Sequence, residues 1–216
     1  MKIAQFVYEI NNAAYYTLIK NMDGMFMRKN RKIDKCLQLL KKICYNVSLI
    51  NKKGVSAMDT GRELITHGEV DSVDFAIYLN KKAQDLGKVV NITKIQKWLY
   101  ICYGLYLVVN EKQLLAERPK AWDYGPAFPR VHKKQKKNNN DLANLISTIK
   151  VENFVKYDSV IQATLANFGD WTASELVAWT HEPNKAWDKT LKAEGIYSVM
   201  SNENILSDFK EILKDG

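Results

Sequence analysis

The stretch NITKIQKWLYICYGLYLVVN, residues 91–110, is the part of the sequence that most constrains the fold. Thr93 and Gln96 have the spacing of a capping box, which predicts a helix that starts at Thr93 and runs to about Val109. The apolar run from Trp98 to Val109 is shorter than the roughly 20 residues that a membrane-spanning helix needs. Because this helix is apolar on almost every side, we predict that it is the central core helix of the protein.

The segments around this helix are mostly helical by their spacing of apolar residues, and sustained strand alternation is nearly absent. A second capping box, formed by Thr172 and Glu175, predicts another helix start. The fold class is therefore mostly α, with at most a small β element before Tyr124. The other predicted helices cover about residues 3–20, 31–49, 72–86, 142–149, 160–168 and 203–213.

The positive charge is concentrated near the N-terminus. Residues 1–57 hold 11 of the 32 Lys and Arg residues but only 3 of the 24 Asp and Glu residues, so the whole net charge of +8 lies there. We interpret 1–57 as a basic helical pair, 58–71 as a linker and 72–216 as the main domain. Residues 1–57 could be an accessory helical pair, or they could be upstream codons that are included only because the start was not placed at Met58. Alternatively, they form a surface that binds DNA, an anionic membrane or an acidic partner.

Two groups of cations are candidate contacts for nucleic acid or an acidic partner. The second group lies in the sequence KKQKKNNN, residues 133–140, and a stretch as polar as this is typical of a solvated loop or a frayed helix end. The plainer interpretation of these lysines is therefore that they are solvated and bind nothing. The candidates are Arg31, Lys32, Lys35, Lys41 and Lys42 in the first group, and Lys133 and Lys134 in the second.

The sequence carries little that is typical of an enzyme. Its three cysteines, Cys36, Cys44 and Cys102, form neither a disulfide framework nor a zinc motif, which favours a reducing cytosol. No phosphate-binding glycine loop, zinc-protease motif or nucleophile elbow is present. We therefore expect a cytoplasmic protein that is not an enzyme, binds no metal or cofactor and does not insert into a membrane.

The stretch PKAWDYGPAFPRVH, residues 119–132, contains three of the four prolines. In an extended segment, Trp122 and Tyr124 would point to the same face because they are two residues apart. Gly125 precedes Pro126, and a residue before proline is driven away from helical geometry. Local chemistry thus predicts a rigid corner that presents or buries two aromatic side chains.

Three motifs in this order resemble the Panacea domain, also called the SocA-like antitoxin domain, over about residues 70–200. The sequence departs from the family pattern at Ala127, which replaces a usual valine, and at Ala186, which replaces a proline before Trp187. The motifs are Ile95, Gln96, Lys97, Leu99 and Tyr100 in the helix, Ala121, Trp122, Tyr124, Gly125, Pro126 and Pro129 in the corner, and Thr180, His181 and Trp187 near the end.

The resemblance implies a compact helical domain that acts as the antitoxin of a type II toxin–antitoxin system. Such proteins bind and neutralise a cognate protein toxin, and one branch is thought to deliver its toxin to a protease. A DNA-binding regulator that uses residues 1–57 is the alternative. The residues that the resemblance marks as toxin-binding or as shaping the motif are Trp122, Tyr124, Gly125, Pro126, Thr180, His181 and Trp187.

His181 admits two further interpretations. It could act with Glu182 or Asp188 in a metal- or base-dependent enzyme. More simply, its side chain could bond the last carbonyls of the preceding helix and interact with the helix dipole.

Overall fold

A computed structural model describes residue 68 and residues 70–214, with side chains described up to residue 211. This part of the chain is mostly helical with one small two-stranded sheet, which confirms the predicted fold class. The basic segment 1–57 and its two predicted helices lie outside the described residues. The elements are α1 (Ser72–Asp85), α2 (Ile92–Asn110), β1 (Lys120–Trp122), β2 (Gly125–Ala127), α3 (Pro129–Lys137), 3-10 helices at Ala143–Thr148, Val151–Asn153 and Val155–Tyr157, α4 (Asp158–Phe168), α5 (Ala173–Thr180), α6 (Ala186–Glu194) and α7 (Asn202–Lys214).

Helix α2 is the core helix, as predicted. Trp98, Leu99 and Ile101 are completely buried, and the helix packs against α1, α3, α4, α5, α7 and β2. None of the described helices is long and apolar enough to cross a membrane. Cys102 is buried inside this packing, and burial raises the pKa of its thiol to about 12, as expected for an unreactive core residue.

The predicted start of α2 at Thr93 was wrong. The N-cap is Asn91, whose side-chain oxygen accepts a hydrogen bond from the backbone N–H of Lys94 at 2.8 Å. Asparagine is a better N-cap than threonine, so the helix begins earlier, at Ile92.

The rigid corner is a β-hairpin. Strands β1 and β2 are antiparallel, with Trp122 opposite Gly125, so Asp123 and Tyr124 form the two-residue turn. The prediction that Trp122 and Tyr124 share one face was therefore wrong, because the extended geometry ends at Trp122. Trp122 is half-buried, whereas Tyr124 is 76% exposed.

The hairpin is also joined to the loop between α6 and α7. The backbone N–H of Ala121 donates to Ser198, and the N–H of Tyr197 donates to the carbonyl of Ala121 at 2.7 Å. Lys120 and Val199 form an antiparallel bridge. This loop therefore holds β1 on the side opposite β2.

The polar run after the hairpin is mostly helix. Residues up to Lys137 belong to α3, and residues 138–140 form a turn, so the lysines lie on a helix rather than on a loop. The helix forms because Pro129 occupies its first position and Val131 and Gln135 bury one side of it.

The second predicted capping box is confirmed. Thr172 accepts from the N–H of Glu175, and the Glu175 carboxylate accepts from the N–H of Thr172.

Thr172→Ala should lower the free energy of unfolding by about 1 kcal/mol, measured by urea denaturation. Ser207→Ala, an exposed position within α7, is the control and should change it by less than about 0.5 kcal/mol. Equal stability of the Thr172 variant and the parent would contradict the prediction.

Candidate functional site

The three motifs of the sequence come together at the hairpin. Helix α2 supplies Gln96 and Lys97, the hairpin supplies Gly125 and Pro126, and the end of α5 supplies Thr180. The contacts among them are specific hydrogen bonds and close approaches. We call this arrangement the hairpin anchor.

Lys97 forms the link between α2 and the hairpin. Its side chain is only 2% exposed, and its Nζ donates a hydrogen bond to the carbonyl of Pro126 at 3.0 Å. Burial lowers the pKa of Lys97 to about 7, and no carboxylate of the described residues forms an ion pair with it. A buried cation without an anionic partner is unusual, which makes Lys97 the most atypical charged group of the site.

Gln96 fixes the end of the hairpin. Its side-chain oxygen accepts from the backbone N–H of Phe128 at 2.7 Å, and its amide donates to Gln135 at 3.2 Å. Phe128 is the residue from which α3 starts. One side chain of the core helix thus sets both the exit of β2 and the position of α3.

Gly125 is required by its backbone angle and by its surroundings. Its φ is +88°, a region that side-chain-bearing residues rarely adopt. A Cβ at this position would lie 2.6 Å from Oγ1 of Thr180, 2.9 Å from Nζ of Lys97 and 3.1 Å from Nε2 of His181. The absence of a side chain therefore allows three polar groups to approach the turn backbone.

His181 lies against this glycine and stacks on a tryptophan. Its ring centroid is 3.8 Å from that of Trp187, with 15° between the planes. Its Nε2 is buried and has no hydrogen-bond partner in the described part of the chain. Burial, with a smaller contribution from the Lys97 charge, lowers the pKa of His181.

The prediction that the His181 side chain bonds the last helical carbonyls was wrong. The backbone N–H of His181 makes those bonds instead, to Val177 at 3.1 Å and Ala178 at 3.2 Å. The stack on Trp187 directs the ring toward the hairpin. This orientation depends on a residue of the next helix, so local spacing could not predict it.

Trp187 connects α6 to the hairpin. Its indole N–H donates to the carbonyl of Trp122 at 2.9 Å. The Trp122 ring in turn has edge contacts with His132, at 5.0 Å, and with Tyr197, at 6.1 Å. The corner aromatic is thus held between α3, α6 and the loop that follows α6.

Tyr197 is a functional candidate that sequence reasoning missed. It is 56% exposed, and its φ of 68° is a left-handed conformation that is rare for a bulky residue. Such a conformation costs on the order of 1–3 kcal/mol and is concentrated at functional sites. No motif in the sequence distinguishes Tyr197, because its contact with Trp122 is long-range.

The remaining predicted residues are not part of this cluster. Lys133 and Lys134 lie on α3, exposed and half-exposed respectively, and the five cations predicted within residues 31–42 lie outside the described residues. In the described ranges no group of three or more His, Cys, Asp and Glu side chains is placed to hold a metal ion. Asp188, one of the two carboxylates with which His181 could act in an enzyme, pairs with Lys192 at 2.7 Å.

We expect Trp187→Phe to lower the free energy of unfolding by about 1–2 kcal/mol, because the Trp122 carbonyl loses its donor while the stack on His181 is retained. Trp171→Phe is the matched control. Trp171 is also half-buried, and its indole N–H makes no hydrogen bond within the described residues. Urea unfolding that shows equal losses for both variants would contradict the role of this hydrogen bond.

Part of the chain matches a known protein family. Residues 95–188 match the family model described as "Antitoxin SocA-like, Panacea domain". The matched interval contains the whole hairpin anchor, from Gln96 to Thr180, and also His181 and Trp187. Comparisons with curated proteins and with solved structures found no match.

Proposed function

We propose that this chain neutralises a cognate protein toxin, because its residues 95–188 match the family model of the SocA-like Panacea antitoxin domain. In this proposal the chain acts in the cytoplasm as the antitoxin of a type II toxin–antitoxin system and binds the toxin directly. The observation that carries the proposal is the family match, whose motif residues gather at one place, the hairpin anchor.

The surface at the anchor supports a role in binding. The turn exposes Tyr124, while Trp122 behind it is fixed by contacts on several sides. Rigid aromatic side chains provide large contact areas at a small loss of conformational entropy, which suits protein recognition. Lys97 and the buried Nε2 of His181 lie against the backbone of Gly125, and in this proposal they support the shape of the surface.

Co-expression tests the proposal. The reading frame next to this gene is placed under an inducible promoter and expressed alone or together with the full chain. We expect the neighbouring product to arrest growth when alone and growth to be restored by this protein. If the neighbouring product is harmless alone, or arrests growth equally in the presence of the chain, the proposal is wrong.

The toxin level in the same cells separates two routes of neutralisation. Sequestration leaves the amount of toxin unchanged or higher, because a bound protein is protected. An adaptor that delivers the toxin to a protease lowers it. We propose sequestration, and a toxin that disappears only when this chain is present would favour the adaptor instead.

The charge of residues 1–57 supports a second candidate, a regulator that binds DNA. The test is a mobility-shift assay with the promoter region of the gene. The full chain is compared with a variant that carries glutamine at positions 31, 32, 35, 41 and 42. Equal binding by both proteins, or none by either, would discard this candidate.

A further inference from the structure

The hairpin turn, the loop after α6 and helix α3 form one surface that combines exposed aromatic rings with unpaired lysines. Tyr124 and Tyr197 are the two exposed large aromatic side chains of the described residues. Tyr124 lies in the turn two residues after Trp122, and the ring of Tyr197 contacts that of Trp122. We define the aromatic–basic face as Trp122, Tyr124, His132, Lys133, Lys136 and Tyr197.

The basic part of this face belongs to α3. His132 has ring contact with Trp122, and the Lys136 charge reaches His132, where it helps burial to lower the pKa of the imidazole. Lys133 and Lys136 are three residues apart and so neighbours on the helix surface. Neither forms an ion pair within the described residues, whereas Arg130, one helical turn before Lys133, pairs with Asp71.

The charge of α3 is exceptional for this domain. Residues 58–216 contain 21 Lys and Arg and 21 Asp and Glu, but α3 contains five of these cations and no acidic residue. The unpaired positive charge is therefore local and would be complemented by acidic groups of a partner. A second copy of this face and the basic segment 1–57 are both positively charged, so electrostatic repulsion disfavours the binding of either one to this face.

We propose that the aromatic–basic face is the surface that contacts the toxin, and that it takes an acidic segment of the toxin bearing an apolar or aromatic side chain. This proposal rests on the proposed antitoxin function. The aromatic rings supply the buried contact, and Lys133 and Lys136 pair with carboxylates at its rim. The left-handed backbone of Tyr197 fits this role, because it holds a large ring against Trp122 and in contact with solvent.

Single-stranded nucleic acid is the other ligand that uses aromatic rings and lysines together. Asp123 argues against it. This exposed carboxylate lies in the turn between Trp122 and Tyr124 and forms no ion pair with the described residues. It would repel phosphates, whereas on a protein partner it can meet a lysine or arginine.

The test uses the full chain and the product of the neighbouring reading frame. The variants are Tyr124→Ala and the double variant K133E/K136E. The controls are Val89→Ala, which removes an apolar side chain that is also 76% exposed, and K150E/K210E, which makes the same change of charge elsewhere. We expect each face variant to weaken binding about tenfold or more and the controls to change it less than about threefold. Circular dichroism and urea unfolding show that each variant is folded.

A second measurement separates the two kinds of ligand. The same proteins are titrated with a fluorescent oligothymidylate as the nucleic-acid probe. If the face variants lose oligonucleotide binding but still neutralise and bind the toxin, the face belongs to nucleic acid and the proposal is overturned.

The two proposals fail in different ways. If wild-type protein neutralises the neighbouring product and the face variants do so equally well, only the face assignment is wrong. If wild-type protein neither binds nor neutralises it, the antitoxin function is wrong and the face assignment fails with it.

Discussion

Replacing Gly125 with alanine should lower the free energy of unfolding by about 2–4 kcal/mol and weaken neutralisation of the toxin. Two effects add at this position. The φ of +88° strains any residue with a Cβ, and the new methyl group would lie 2.6 Å from Oγ1 of Thr180 and 2.9 Å from Nζ of Lys97. Because the Lys97 amine holds the hairpin on α2 through the carbonyl of Pro126, and the Thr180 hydroxyl is fixed on α5, the turn must shift. Urea unfolding gives the stability, and the co-expression assay gives the function.

Gly87→Ala is the matched control for Gly125→Ala. Gly87 also has a positive φ, +66°, but a Cβ there meets nothing within 4 Å, so we expect a loss of only about 1 kcal/mol. The double variant G125A/T180A should lose less stability than the sum of its single variants, since Thr180 is the nearest obstruction. Two results together would contradict the claim that the hairpin anchor is crowded at Gly125. One is an equal loss of stability in Gly87→Ala and Gly125→Ala, and the other is a loss in G125A/T180A that equals the sum of its single variants.

Lys97 should make the stability of the protein depend on pH in a way that Lys97→Met abolishes. The folded-state pKa is about 7, depressed by burial from 10.5. Between these pH values the unfolded chain holds a proton that the folded chain has released, so stability rises with pH. The slope from this one group is about 1 kcal/mol per pH unit, which amounts to several kcal/mol across the window.

Urea unfolding of the parent and Lys97→Met at pH 7, 8, 9 and 9.5 measures this slope. The window lies above the ordinary histidine pKa of 6.5, and the pKa values of His132 and His181 are lowered further. It also lies below the ordinary tyrosine value of 10, and the pKa of Tyr78 is raised to about 12. The stability difference between parent and variant should grow in favour of the parent as pH rises. The free energy of unfolding of the control variant Lys210→Met, at an exposed site on α7, should change with pH in the same way as that of the parent. A constant difference between the parent and Lys97→Met would refute the lowering of the Lys97 pKa by burial.

The parts of the fold that depend on local spacing were predictable from the sequence. The apolar run of α2 and the capping box at Thr172 both specify their helices without help from distant residues. The start of α2 differs from the prediction because Asn91, two residues before Thr93, is the better cap.

The site was less predictable, because its geometry depends on contacts between distant segments. The register that places Trp122 opposite Gly125 leaves Tyr124 in the turn, and spacing alone had placed both aromatics on one face. The stack of His181 on Trp187 and the contact of Tyr197 with Trp122 join separate elements. Family resemblance identified the motif residues, but only the structure brings Lys97 and His181 to Gly125.

Direct binding between purified full-length protein and the purified product of the neighbouring reading frame tests the proposed function most directly. Isothermal titration calorimetry should show a saturable complex of fixed stoichiometry, with a Kd in the nanomolar to low micromolar range that is typical of specific protein pairs, on the order of 10⁻⁹ to 10⁻⁶ M. The face variant K133E/K136E should bind more weakly than K150E/K210E. The absence of binding between two folded proteins at concentrations on the order of 100 μM would contradict neutralisation by direct binding.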